Sequence, residues 1–227
     1  ALDVPRESGY GSAVRQASLA VRAGEIVGVA AVEGNGQREL LRAVAGRIQP
    51  LRGRLEVADP VGFVPEDRTT EGLIPEMTLT ENLALGSAPG DPWLDRGRIR
   101  WGVARARTAA LLEEFGVVAP GPDAPAAALS GGNQHKLVLA RELSRSPRVV
   151  VVENPTRGLD IRATLAVHGR IRDAAAGGAA VLFHSSDLDE VIELSGRIVV
   201  AVSGTILEVP PGSTRSQIGE LMVTGGR

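Results

Sequence analysis

Leu129-Ser130-Gly131-Gly132-Asn133-Gln134-His135-Lys136 opens a helical stretch that continues through 137–143, and Pro147-Arg148-Val149-Val150-Val151-Val152-Glu153-Asn154-Pro155-Thr156-Arg157-Gly158-Leu159-Asp160 follows. Taken alone, Ser130 ahead of two glycines reads as a helix cap. Four valines bounded by a turn read as a buried strand that delivers Glu153 and Asn154 at its C-terminal end. Similar short apolar runs stand at 25–31, 61–64, 179–183 and 197–202, separated by helical stretches. That alternation predicts an α/β core whose largely parallel sheet is covered on both faces. Between the second and third strands, residues 78–146 carry helical patterning, with turns at Pro89-Gly90 and 120–125. They read as an inserted helical subdomain, so the core takes 1–77 and 147–227. Within the insertion, 104–115 is expected to bury Ala110, Leu111, Leu112 and Phe115 as one stripe.

Composition sets the outer bounds. The chain has 227 residues, 43% hydrophobic and 23% charged, with 28 glycines and 14 prolines, which excludes disordered and fibrous classes. Lys+Arg 25 against Asp+Glu 27 leaves a net charge of -2, no global field for nucleic acid. No cysteine is present, which removes disulfides, thiolate nucleophiles and cysteine metal sites. The longest apolar runs, 149–152 and 198–202, fall far short of the roughly 18 residues of a membrane span. The chain begins at Ala1 with no signal-like segment, and it reads as a piece of a longer polypeptide. Lys136 is its single lysine, so any mechanism that needs a lysine elsewhere is closed.

After the strand at 25–31 comes Val32-Glu33-Gly34-Asn35-Gly36-Gln37-Arg38-Glu39-Leu40-Leu41. A strand, a glycine turn and a helix start can cradle a phosphate, because glycines let successive N–H groups point at one anion and the helix dipole adds positive charge. Two templates compete for the turn. A dinucleotide loop needs a third glycine where Glu39 stands, although Glu56 lies where a ribose-binding acid is expected. A P-loop needs lysine and a hydroxyl where Gln37 and Arg38 stand. The turn by itself does not choose.

The rest of the chain chooses by resemblance. Leu-Ser-Gly-Gly-Asn-Gln at 129–134 resembles the signature motif of ABC-type ATPases, and the strand ending in Glu-Asn-Pro-Thr-Arg-Gly-Leu-Asp resembles their Walker B strand and D-loop, with Asp160 in the latter. Tyr10-Gly11 resembles the aromatic A-loop that stacks on adenine. Gly62-Phe63-Val64-Pro65-Glu66-Asp67-Arg68 resembles the Q-loop region, with Glu66 in place of glutamine. Val181-Leu182-Phe183-His184-Ser185-Ser186 resembles the H-loop strand, with Ser186 on the switch-histidine position and His184 two residues early, in the packed strand body. These variants are similar to the second, C-terminal ATPase domain of the double-domain subunit of bacterial importers for simple sugars and nucleosides, and Gly-Asn-Gly-Gln leans toward the nucleoside branch. The closing segment Ser216-Gln217-Ile218-Gly219-Glu220-Leu221-Met222 resembles that subunit's last helix, so the similarity covers essentially the whole chain.

The resemblance implies an ABC-type P-loop fold of the α/β class with a mixed sheet and an inserted helical subdomain. It implies ATP as ligand, held by Tyr10, Gly34, Asn35, Gly36, Gln37, Arg38 and Glu39. It implies a second ABC ATPase domain in the N-terminal half of the same chain, membrane permease partners, and a peripheral place on the cytoplasmic face of the membrane. Ser130, Gly131, Gly132 and Asn133 would serve the partner domain's ATP in trans. Asn154 stands on the catalytic-glutamate position, and an asparagine cannot take a proton at neutral pH; loss of a general base alone is worth ~10²–10⁴-fold. With Gln37, Ser186 and Glu66 also departing from the pattern, the domain's own site is expected to be degenerate. A non-translocating regulatory or scaffold domain is the alternative. Mg²⁺ would ordinarily bridge the positions of Arg38 and Glu153, so these two are expected to form a direct ion pair. The apolar residues Met77, Leu79, Leu83 and Leu85 within 66–85 are a candidate surface for a permease helix.

Overall fold

The computed structural model describes residues 1–7, 11–88 and 90–226. Along the chain run β1 (Leu2–Pro5), β2 (Ser12–Ala17), β3 (Ile26–Ala31), α1 (Gln37–Val44), β4 (Val61–Val64), α2 (Leu79–Ala84), β5 (Leu94–Asp95), β6 (Arg98–Ile99), α3 (Trp101–Glu114), α4 (Gly131–Leu143), β7 (Val149–Glu153), α5 (Ile161–Ala176), β8 (Ala180–His184), α6 (Leu188–Leu194), β9 (Arg197–Val202), β10 (Thr205–Glu208) and α7 (Arg215–Thr224). They fold into two compact units.

The first unit comprises 1–63, 146–155 and 168–227. Its six-stranded sheet has the order β10-β9-β3-β8-β7-β4, with β3 parallel to both β8 and β9, β7 parallel to β8, and β10 antiparallel to β9. It is therefore mixed. Val27, Val29, Val151, Leu182 and Val199 are buried with Leu41 of α1 in one cluster, which explains why the central strands read as continuous apolar runs rather than alternating ones. Gly28 lets α6 approach: a Cβ there would lie 2.1 Å from Ser195 Oγ and 2.8 Å from Val191 Cγ1. A separate antiparallel ribbon, β1–β2, packs Val4 and Val14 against Leu40 and Ala43 of α1.

The second unit comprises 64–145 and 156–167. It begins at Val64, ahead of residue 78 where the sequence places the start of the helical subdomain. The cause is local packing: a π-helical turn at Arg68–Gly72 lies on α4, where Arg141 Nη1 donates to Gly72 O at 2.7 Å. Thr78 caps α2 in a reciprocal box with Glu81, and the fully buried Asn82 pins the preceding loop by accepting from Ile74 N–H at 2.8 Å and donating to Ile74 O at 2.9 Å. On α3 the buried residues are Ala104, Thr108, Leu111 and Leu112. Ala110 is exposed, which corrects the expected stripe: spacing of four and three from Ala104 sets the face, and Ala110 falls off it. Met77 is half-buried, Leu79 and Leu83 are buried, and Leu85 is 53% exposed, so of those four Leu79 and Leu83 serve the unit's own core.

Candidate functional site

In the first unit, β3 feeds α1 through residues 32–36. Gly34 and Gly36 have φ of 85° and 96°, the left-handed region that glycine enters freely. At Gly36 space demands glycine as well, because a Cβ would sit 2.5 Å from the Ala13 carbonyl oxygen. Asn35 anchors the turn: its Nδ2 donates to Val32 O at 2.8 Å, its Oδ1 accepts from Ser203 N–H at 2.7 Å, and its carbonyl accepts from Gly204 N–H at 3.2 Å. The loop is thus tied to the β9–β10 turn, a connection that no local motif announces.

Gln37 is 1% exposed. Its Oε1 accepts from Asn35 N–H at 3.1 Å and its Nε2 reaches Glu33 Oε2 at 3.4 Å. A side chain on the P-loop lysine position is therefore folded back onto the loop's own backbone, and one amide that could face an anion is already engaged. The first-turn N–H groups of α1 have no intrahelical acceptors, and Glu39 lies among them.

Glu153, at the end of β7, is 2% exposed and held from two sides by one guanidinium: Arg42 Nε donates to Oε1 at 2.9 Å and Nη2 to Oε2 at 3.2 Å. Arg42 Nη1 also donates to Glu7 Oε1 at 2.8 Å, while Arg38 Nε lies 3.7 Å from Glu7 Oε2. The expectation named Arg38 as the partner of Glu153; the bidentate fork on Glu153 comes from Arg42, one turn further along α1. Residues four apart share a helix face and their long side chains lean back toward the helix N-terminus, so Arg42 delivers its charge over the first turn. A divalent ion ligated by a first-turn hydroxyl and a strand-end carboxylate does not fit these side chains.

Asn154 is 6% exposed at φ 44°. Its N–H donates to His184 O at 2.8 Å and its Oδ1 accepts from Ser186 N–H at 2.7 Å, so the amide links the ends of β7 and β8. The Ser186 side chain is exposed, and Ser185 is the buried one, with Oγ accepting from Asp187 N–H at 3.0 Å. His184 sits in the strand body as expected, buried, with Nδ1 2.8 Å from Val29 O; burial holds its pKa below the ordinary histidine value. Tyr10 lies outside the described residues.

In the second unit, Ser130 stands at the N-cap of α4 but its hydroxyl makes no cap bond; Asn133 Nδ2 donates to it at 3.1 Å, and Asn133 Oδ1 accepts from Val118 N–H at 3.0 Å. Gly131 lies under the Arg68 guanidinium, where a Cβ would be 2.4 Å from Nη2. At Gly132 a Cβ would meet only Leu159 Cδ2, at 3.7 Å. His135, one turn on, is 2% exposed and its Nε2 has no partner among the described residues. Burial, with help from Arg68, lowers its pKa to about 4. The sequence assigns His135 no role, because only packing brings Arg68 beside it. Glu66 forms an ion pair with Arg157, and Asp160 accepts from Ala163 N–H at 2.8 Å at the start of α5. Among the described residues no cluster of three His, Asp or Glu side chains could hold a metal ion. A cleft of about 410 Å³ in the first unit is lined by Val149 and Ala180, the first residues of β7 and β8. Parallel sheets gather ligands at the opposite, carboxyl ends of their strands, where the glycine loop, Glu153 and Asn154 meet.

The fold and this arrangement define a P-loop-type nucleotide-binding domain. The ABC transporter family model matches residues 14–157, and the chain belongs to that family. It is 39% identical to the nucleoside import ATP-binding protein NupA of Lactococcus lactis subsp. cremoris, covering 97% of this chain and 47% of that protein. It is 37% identical to the guanosine import ATP-binding protein NupO of Bacillus subtilis, over 92% and 44%, and 38% identical to a ribose import ATP-binding protein, RbsA 1, of Mesorhizobium japonicum, over 86% and 41%. The chain spans just under half the length of these curated relatives. Among solved structures, the ATP-binding cassette MJ0796, a dimer bound to ADP and Pi, superposes with a TM-score of 0.74 at 20% identity over 92% of this chain and 97% of that one. An ATP-binding subunit of an ABC transporter gives 0.79 at 19% identity over 98% of each. At such identities the likeness concerns the fold, and it agrees with the expected mixed sheet and helices. No described helix is long and apolar enough to cross a membrane.

Proposed function

We propose that this chain is the second, degenerate ATP-binding domain of a nucleoside or simple-sugar importer. It works with an N-terminal ABC domain of the same polypeptide and with permease subunits at the cytoplasmic face of the membrane. The similarity to NupA and NupO across more than nine-tenths of the chain supports nucleosides as the cargo class. The observation that carries the degeneracy is the engagement of Asn154: an amide that cannot accept a proton stands on the general-base position, and its oxygen is occupied by Ser186 N–H. Gln37, turned onto the loop, gives no cation to a phosphate. ATP bound here is therefore held rather than turned over. The start of α4, with Ser130, Gly131 and Gly132, serves the ATP of the partner domain, using first-turn amides and the helix dipole.

The test is made in the full natural polypeptide. Asn154→Ala should leave ATP turnover within about twofold. Gly132→Asp should lower it by ~10²-fold or more, comparable to deleting an oxyanion donor, while the fold is retained, because an acid in a first helical turn is favourable. Turnover abolished by Asn154→Ala, or indifferent to Gly132→Asp, would refute the reading.

A further inference from the structure

Of the two positions where an ordinary site would ligate a divalent cation, residue 38 is an arginine and residue 153 is a carboxylate already held by a guanidinium. We infer that the Arg42 guanidinium replaces the metal at Glu153, so that this domain's site takes no Mg²⁺ there. This rests on reading the loop as a degenerate nucleotide site. Both oxygens of Glu153 receive N–H bonds from Arg42, at 2.9 and 3.2 Å, and the two side chains are 3% and 9% exposed. Such a fork is the strongest geometry a guanidinium and a carboxylate adopt. Glu7 orients the same guanidinium from the other side at 2.8 Å. Arg38, on the hydroxyl position, approaches Glu7 as well. Two arginines and two glutamates thus form a charge-balanced cluster at the head of α1.

Mg²⁺ requires near-octahedral oxygen ligands at about 2.0–2.1 Å and gives up its water reluctantly. To reach Glu153 it would have to displace a bidentate, buried guanidinium and then sit beside that cation and a second one. The hydroxyl that would complete its protein ligands is absent, and no described trio of carboxylates or imidazoles offers another seat nearby. A fixed guanidinium is also always charged. The cation that stands against Glu153 then no longer depends on metal supply.

Mn²⁺ binding to the full natural polypeptide, followed by electron paramagnetic resonance with and without ATP, decides the matter. Glu153→Gln, which keeps an acceptor for Arg42 while Glu7 still holds it, should leave the number of bound Mn²⁺ ions and their affinity within about twofold. Loss of one ion per chain, or a tenfold weakening of the kind that follows damage to a metal site, would overturn the inference. Arg42→Met takes the guanidinium fork off the carboxylate and should tighten nucleotide-free Mn²⁺ binding at least tenfold, with Arg42→Met/Glu153→Gln reversing the gain. A well-folded Arg42→Met protein with no gain would also overturn it, and should that variant not fold, the Glu153→Gln arm decides alone. A Glu153-dependent Mn²⁺ in a protein whose turnover ignores Asn154→Ala would defeat this inference and leave the proposed function standing.

Discussion

The phosphate loop and the start of α4 are both glycine-bearing entries into a helix, yet they engage their polar groups in different ways. In the loop, Asn35 N–H is taken by Gln37, Glu153 by Arg42 and Asn154 Oδ1 by Ser186 N–H. At α4, the Ser130 hydroxyl does not cap the helix, and the buried Arg68 Nε and His135 Nε2 have no partner among the described residues. A buried polar group left unsatisfied costs about 1–3 kcal/mol, and the α4 region tolerates that cost at these two atoms. The contrast teaches that a glycine turn before a helix does not reveal whether its polar atoms face a ligand or one another.

The largest effect that could break this comparison is at the loop. Arg42→Met removes the bidentate fork from the buried Glu153 and should destabilise the protein by ~3–5 kcal/mol in denaturant unfolding, with much of the loss recovered in the double variant that also carries Glu153→Gln. A cost below ~1 kcal/mol would mean that the pair is not the fastening it resembles. Next comes the α4 region under acid. His135 has a folded pKa near 4 against 6.5 unperturbed, so between these values the unfolded state binds more protons and stability falls as pH falls. The His135 share of that loss at pH 5, relative to pH 7.5, is on the order of 2 kcal/mol. Urea titrations of His135→Phe at the two pH values should lack this share; an unchanged acid slope would place the imidazole in a wetter setting. His184, depressed in the same direction by burial, keeps a share of its own.

Smaller effects sharpen the picture. Asn154→Ala removes the bond to Ser186 N–H and puts alanine at φ 44°. It should cost ~1–3 kcal/mol while Asn154→Gly costs less, since only the hydrogen bond and not the backbone conformation is then penalised. The smallest change is Arg38→Met, whose side chain is 42% exposed. It should shift stability by ~0–1 kcal/mol, and thermal melts of the Arg38 and Arg42 variants side by side test whether the ion pair belongs to the second turn of α1 rather than the first.

Much of the sheet was legible in the sequence. The five expected strands match β3, β4, β7, β8 and β9 to within one residue at either end, because strands buried on both faces are written as unbroken apolar runs. The ribbon β1–β2 and strand β10 were not legible. Arg15, Gln16, Thr205 and Glu208 interrupt them with polar side chains that an edge or solvent-facing strand accepts, and the pairing partner alone makes such a segment a strand. The site divides along the same line. Gln37, Arg38, Glu153 and Asn154 could be placed at one loop and one strand end by motif order, but the contacts among them could not.

What the sequence determined by itself is which chemistry is missing. A chain whose single lysine is Lys136 cannot place an ammonium at residue 37, and an asparagine at 154 cannot be a base in any conformation; these facts are properties of side chains and survive any fold. What only the tertiary structure decided is which groups satisfy one another. Arg38 and Arg42 are equivalent in composition and both lie on the loop-side face of α1. The backward lean of helical side chains, the burial of Glu153 and the position of Glu7 give the fork to Arg42. Partner choice depends on distances of a few ångströms between segments as far apart in the chain as residues 7, 42 and 153, and such distances are set by packing the sheet, not by any local run of residues.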